Sequence, residues 1–160
     1  MNAAEEALAH VRIQSLLALY YQALDVGDLD RLERDVMAED ATWVVVQKAA
    51  SGRIEDQATG RSNVLAWFRK MLSGEVSMSE GTVRHFISTH VIRVERERAF
   101  STSHLQAVST TTMAILATGV AEAEHVLTRD GWRIRHYRVT EEITEKDMQG
   151  LKAAFGLESR

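Results

Sequence analysis

The period of apolar residues changes at Thr82, and that change restricts the fold more than any other feature of the sequence. From Thr82 onward the segments TVRHFISTHVIRVE, AFSTSHLQAVS, TGVAEAEHVLT and GWRIRHYRVTEE read as four long strands. Asp130-Gly131 is a strong hairpin signal, and Glu95 to Arg98 makes another charged turn. Thr110 to Thr118 is either a strand extension or an insertion. Ahead of Thr82 the spacing is helical. Leu8, Val11, Leu16, Leu17, Tyr20 and Leu24 recur at three- and four-residue intervals, which predicts one apolar stripe on a helix from about Ala4 to Asp25. Gly27 can take the left-handed conformation that ends it. Asp28 is an N-cap candidate for a second short helix with Leu29, Leu32 and Val36 inward. ATWVVVQ follows as a strand, and Lys48 to Thr59 as a loop or hairpin end. SNVLAWFRKML forms a third helix with Val64, Trp67, Phe68 and Met71 on its apolar side. Gly74 to Gly81 has the composition of a lid, and KDMQGLKAAFGL that of a short amphipathic helix. Helices first and a mostly antiparallel sheet after them define an α+β domain. At 160 residues the chain predicts one domain over 1–160.

Composition narrows the function. The net charge of −4, with no Lys/Arg run, argues against nucleic acid as a partner. No apolar run approaches the ~20 residues of a membrane span. The acidic start MNAAEEALAH lacks a signal-peptide pattern, so the expected location is cytoplasmic. There is no cysteine, which removes thiolate and disulfide chemistry. Without cysteine or an HExxH-type motif, no metal site is expected.

The residues that carry chemistry are few. Asp25 ends an apolar helix that also carries Tyr20 and Tyr21, and His85 lies sixty residues further on. A neutral imidazole is the usual general base near pH 7. It needs a carboxylate on its far nitrogen to fix the tautomer and stabilise the imidazolium. The alternative is a carboxylate that caps a helix corner and a histidine satisfied within a strand. Tyr20 either donates to a leaving or enolate oxygen or fills the core. Tyr21 carries the same alternatives, or bonds to Asp25 one helical turn away. His136 and Arg138 alternate with Ile134, so they face a pocket if Ile134 does; otherwise they belong to a solvated strand face. His90 falls on the strand face opposite His85. Trp43, Trp67 and Phe68 line the core or a pocket.

In this order, IQSLLALYYQALDVGDLDRLERDVMAEDATW, TGRSNVLAWF, VRHFISTHVI and TRDGWRIRHYRV resemble the SnoaL-like proteins of the nuclear transport factor 2-like superfamily. That resemblance implies a cone: N-terminal helices wrapped by a curved sheet, with a pocket at the open end. The nearest likeness is to the branch of scytalone dehydratase, hexachlorocyclohexane dehydrochlorinase and bile-acid 7α-dehydratase. These share an Asp near the end of the first helix and a His on a later strand, where this chain has Asp25 and His85. Tyr20 stands where that branch places a pocket residue. Thr89 replaces an Asn often found four residues after the His. The resemblance therefore implies a cofactor-free lyase or isomerase with catalytic Asp25, His85 and Tyr20. Tyr21, Trp43, Trp67 and Thr89 would then bind a small, largely apolar substrate, with His136 and Arg138 as further binding candidates from strand alternation, to which the resemblance assigns no role. A SnoaL-type polyketide cyclase would use the same proton abstraction. A non-catalytic binding or assembly module, such as a dioxygenase small subunit, would not need the Tyr20/Asp25/His85 set. Relatives associate through the outer sheet face, which implies a homodimer or homotrimer.

Overall fold

The computed structural model of the protein describes residues 2–73 and 83–154. Helix α1 runs Ala3–Val26, opened by a capping box in which Asn2 and Glu5 exchange hydrogen bonds. It ends at Gly27, whose φ of 70° is the left-handed conformation that glycine adopts without steric penalty. The short α2, Leu29–Arg31, starts on the Asp28 side chain and passes into a π-helical turn, Leu32–Val36. Strand β1, Met37–Ala49, pairs with β2, Gly52–Thr59. Helix α3, Arg61–Leu72, crosses back over them. Strands β3 (Val83–Glu95), β4 (Arg98–Ser109), β5 (Ile115–Thr128) and β6 (Gly131–Ile143) then form an antiparallel meander. Helix α4, Glu145–Ala154, ends the described chain.

The sheet order is β2-β1-β6-β5-β4-β3, and its one parallel contact is β1 with β6. That contact joins the helical half to the meander. One side of the sheet holds α1 in its hollow. The inward stripe of α1 is Ala9, Ile13, Leu16, Leu17, Tyr20, Tyr21 and Ala23. Leu8 and Val11, expected on this stripe, are about half exposed, because the buried seam is phased on Ile13 instead. Met148 and Leu151 of α4 bury against Ile54 in a second, smaller cluster.

Several expectations change. Of the two readings of Lys48 to Thr59, loop or hairpin end, the hairpin holds: β2 fills most of the segment, a polar edge strand in which Ile54 alone is buried. The Thr110 to Thr118 segment divides into a turn and the start of β5 at Ile115. The expected lid at Gly74 to Gly81 lies outside the described residues.

Two β-bulges reset which side chains face the hollow. In β3 the register shifts between Ser88 and Val91, and Thr89 there has a φ of 51°. Ahead of the bulge His85 and Ile87 face inward; beyond it His90, Ile92 and Val94 do. In β6 Ile134 pairs with His125 and His136 with Glu124, so Arg135 is the extra residue. The inward set therefore runs Trp132, Ile134, then Tyr137, Val139 and Glu141.

Candidate active site

Asp25 sits in the last turn of α1, and His85 is the third residue of β3. The two elements pack together, so a side chain at the helix end meets one near the strand start. Asp25 Oδ1 lies 2.6 Å from His85 Nδ1, and Asp25 Oδ2 accepts the backbone N–H of His85 at 3.2 Å. Arg84 fixes the helix end from outside by donating to the Asp25 carbonyl at 3.0 Å. A carboxylate can only accept, so the imidazole donates from Nδ1 and its Nε2 lone pair is left for a base's work. The side chains keep only 10% (Asp25) and 17% (His85) of their exposure, so the pair is shielded yet reachable.

One aromatic ring meets the pair and continues into a cluster of rings. The ring of Tyr21 lies 5.3 Å from that of His85, and its hydroxyl bonds that of Tyr137. Tyr21 thus bonds Tyr137, and no bond to Asp25 is formed. Trp43 stacks on Tyr137 at 5.4 Å and donates its indole N–H to the Tyr20 hydroxyl at 3.0 Å. An indole N–H can only donate, so Tyr20 accepts and retains its own O–H proton for another partner. Burial raises the pKa of all three tyrosines, which keeps the hydroxyls neutral donors.

Three residues that sequence reading missed, Tyr137, Glu141 and Gln47, complete the wall. Glu141 is buried on the inward face of β6, and Gln47 of β1, its register partner, donates to it at 3.2 Å. Burial pushes the Glu141 carboxyl above its ordinary range, against opposing pulls from the Gln47 bond and His85. Tyr137 and Glu141 were hidden by the Arg135 bulge. Simple alternation from Ile134 selects His136 and Arg138 instead.

The remaining expected residues do not converge on the pair. Arg138 bonds Glu55 on the other side of the sheet at 3.2 Å, and His136 shares that side; the bulge turned both away from the face of Ile134. Thr89 is exposed at its own bulge. Trp67 is half-buried and donates to Asp56 at 2.7 Å. Trp43 is a buried pillar between Tyr20, Phe68 and Tyr137. A groove of about 660 Å³ lies on the outer face, lined by residues such as Phe86, His104 and Val120; neither Asp25 nor His85 reaches it.

His90 corrects a further expectation, since the bulge turns it to the same side as His85. It bonds Ser103 at 2.8 Å, and His125 bonds Ser101 at 2.8 Å. His125 is fully buried with Nδ1 unpartnered, and burial lowers its pKa from 6.5 to about 4. A base with a depressed folded pKa contributes stability above pH 6.5 that is lost as pH falls through about 4. The difference is on the order of 3 kcal/mol. Acid unfolding followed by circular dichroism is expected to move to lower pH in a His125→Gln protein; an unmoved midpoint would contradict this.

Fold and site define a class: an NTF2-like cone with an acid–imidazole pair at the end of its first helix. The chain belongs to the SnoaL-like domain family, whose profile matches residues 5–138. No curated protein matches it in sequence. Among solved structures it is similar to an NTF2-like protein with a cystatin-like fold from Novosphingobium aromaticivorans, with 22% identity and a TM-score of 0.68 over 99% of this chain and 95% of that one. It is similar to a candidate dehydratase of the NTF2-like family from Streptomyces avermitilis, with 16% identity and a TM-score of 0.62 over 81% and 92%. A third likeness is to the beta subunit of a candidate aromatic-ring-hydroxylating dioxygenase from N. aromaticivorans, with 14% identity and a TM-score of 0.66 over 86% and 91%. At these identities the likeness is one of fold. No helix among the described residues is long and apolar enough to cross a membrane.

Proposed function

We propose that the protein is a cofactor-free lyase or isomerase that removes a proton from a small, largely apolar organic molecule. The observation that carries this reading is the doubly bonded Asp25–His85 pair, at 2.6 and 3.2 Å. His85 Nε2 takes the proton, Asp25 holds the tautomer and stabilises the imidazolium, and Tyr20 donates to the oxygen on which charge develops. The aromatic walls suit an apolar ring system. A cyclase of the SnoaL type would use the same first step.

Proton abstraction can be tested before the substrate is known. A panel of small cyclic ketones, 1-tetralone among them, is incubated with the protein in D2O. Deuterium is expected to enter the α position with wild type and not with His85→Ala. Equal exchange rates in the two proteins would reject the base assignment.

The outer sheet face supports a second expectation, association with another copy of the chain. Phe86 and Val120 stand exposed there beside the outer groove. Light scattering is expected to give a multiple of the 17.9 kDa chain mass; a monomer at working concentration would count against it.

A further inference from the structure

Asp25 has three oxygens that can accept a hydrogen bond, and two consecutive residues of β3 occupy all of them. His85 takes Oδ1 through its ring and Oδ2 through its backbone N–H, and Arg84 takes the main-chain carbonyl at 3.0 Å. That carbonyl is open to a side chain because α1 ends one residue later. The amide of Leu29, four residues on, bonds Gly27 instead, while Gly27 and Asp28 bond back to Leu24 and Ala23. The last turn contributes no basic residue of its own, although Asp25 puts a carboxylate at the negative pole of the helix. Arg84 brings a guanidinium to that pole from the neighbouring strand. Its side chain is exposed, so salt weakens the charge effect and the hydrogen bond is the larger part of the contact.

Among the described residues β3 is an edge of the sheet, paired with β4 on one side only. Further along, β3 holds α1 through Ile87, Ile92 and Val94, which pack against the core that α1 shares. Apolar contacts have no direction and let an edge strand slide by a fraction of an ångström. The 2.6 Å bond between Asp25 and His85 does not tolerate such a slide. Nη1 of Arg84 carries two hydrogens and donates both ways, to the Asp25 carbonyl on the helix and at 3.2 Å to the Val83 carbonyl on its own strand. One planar nitrogen thus spans the two backbones beside the pair and sets the gap between them.

We propose that Arg84 is the positioning residue of the pair: it holds the end of α1 at the distance from β3 at which the Asp25 carboxylate selects the Nδ1–H tautomer of His85. This rests on the base reading above and deepens it. Without the clamp the carboxylate drifts from Nδ1, the ring proton can move to Nε2, and the lone pair that accepts the substrate proton is lost. The signature is a fall in kcat with KM nearly unchanged, because the clamp acts on the base and not on the binding walls.

Two readouts test this, one of them free of substrate. In protein carrying isotope-labelled histidine, the His85 Nδ1–H is expected as a proton resonance protected from exchange with water, identified by its absence from His85→Ala. Arg84→Met keeps the aliphatic stem and removes charge and donors; it is expected to lose that protection. In the D2O reaction of 1-tetralone it is expected to lower kcat about 10–100-fold and to change KM less than twofold. Arg84→Lys, which restores a charged donor, is expected to recover most of both. Arg133→Met is the control, since Arg133 clamps the Arg34 carbonyl at 3.2 Å in the same manner away from the pair. Its resonance and rate should match wild type. A wild-type resonance in Arg84→Met, or equal losses in Arg133→Met, overturns the positioning role whatever the substrate. A resonance lost in Arg84→Met while His85→Ala still exchanges 1-tetralone at the wild-type rate removes the base reading alone and supports the hold on the tautomer.

Discussion

Asp25→Asn is expected to lower kcat/KM for α-proton removal by about 10²–10⁴-fold while the protein stays folded. The amide keeps the size of the carboxylate but can donate as well as accept. Facing Nδ1 it no longer selects the tautomer with the proton there, and the imidazolium loses its counter-charge. His85→Ala is expected to cost a comparable factor. The double variant should be little worse than either single one, because the two residues act as one unit. Additive losses would mean that the pair does not work together. Circular dichroism keeps the result interpretable, since Asp25 also holds the His85 backbone N–H. A loss of activity with an unchanged melting curve is the expected pattern.

Trp43→Ala is expected to lower stability by about 3–5 kcal/mol, the range for truncating a large aromatic side chain in a core. Trp43 is 1% exposed. It stacks on Tyr137, meets Tyr20 and Phe68 edge-on, and satisfies the Tyr20 hydroxyl at 3.0 Å. Its removal leaves a cavity and takes away a hydrogen-bond donor from a buried oxygen. The melting temperature should fall by roughly 6–20 °C. Trp67→Ala, at a half-buried ring bonded to Asp56, is the comparison and should cost much less. Equal losses at the two tryptophans would show that the ring cluster is not the centre of the core.

The helix–sheet order was legible in the chain because its signals are local, whereas the pairing of Asp25 with His85, sixty residues apart, was implied by the family resemblance and not by any local pattern. An apolar stripe, a glycine corner and a change of period each lie in a few adjacent residues. Strand β2 was less legible, since an edge strand with one inward aliphatic residue, Ile54, looks like a loop in composition. The far wall of the site was misread for a different reason. Alternation assumes an unbroken pleat, and nothing in WRIRHYRV announces that Arg135 is an extra residue. From that position onward the assignment inverts: His136 and Arg138 leave the hollow, and Tyr137 and Glu141 enter it. The Thr89 bulge has the same effect on His90.

The Thr89 bulge also limits how this strand can change in length. His85 and Ile87 are in phase with each other but out of phase with His90, Ile92 and Val94, and one residue bridges the two sets. Flattening the bulge with Thr89 kept in the pleat would hold the imidazole beside Asp25 only by turning Ile92 and Val94 into water and bringing Val91 and Arg93 beneath the helix. Holding the aliphatic half in place would instead rotate the imidazole out of the hollow. Loss of the one extra residue would leave both sets on the same face by plain alternation, so the bulge itself is what an unshortened strand needs here, and the turn at Arg96, which joins β3 to β4 outside both sets, is free of that constraint.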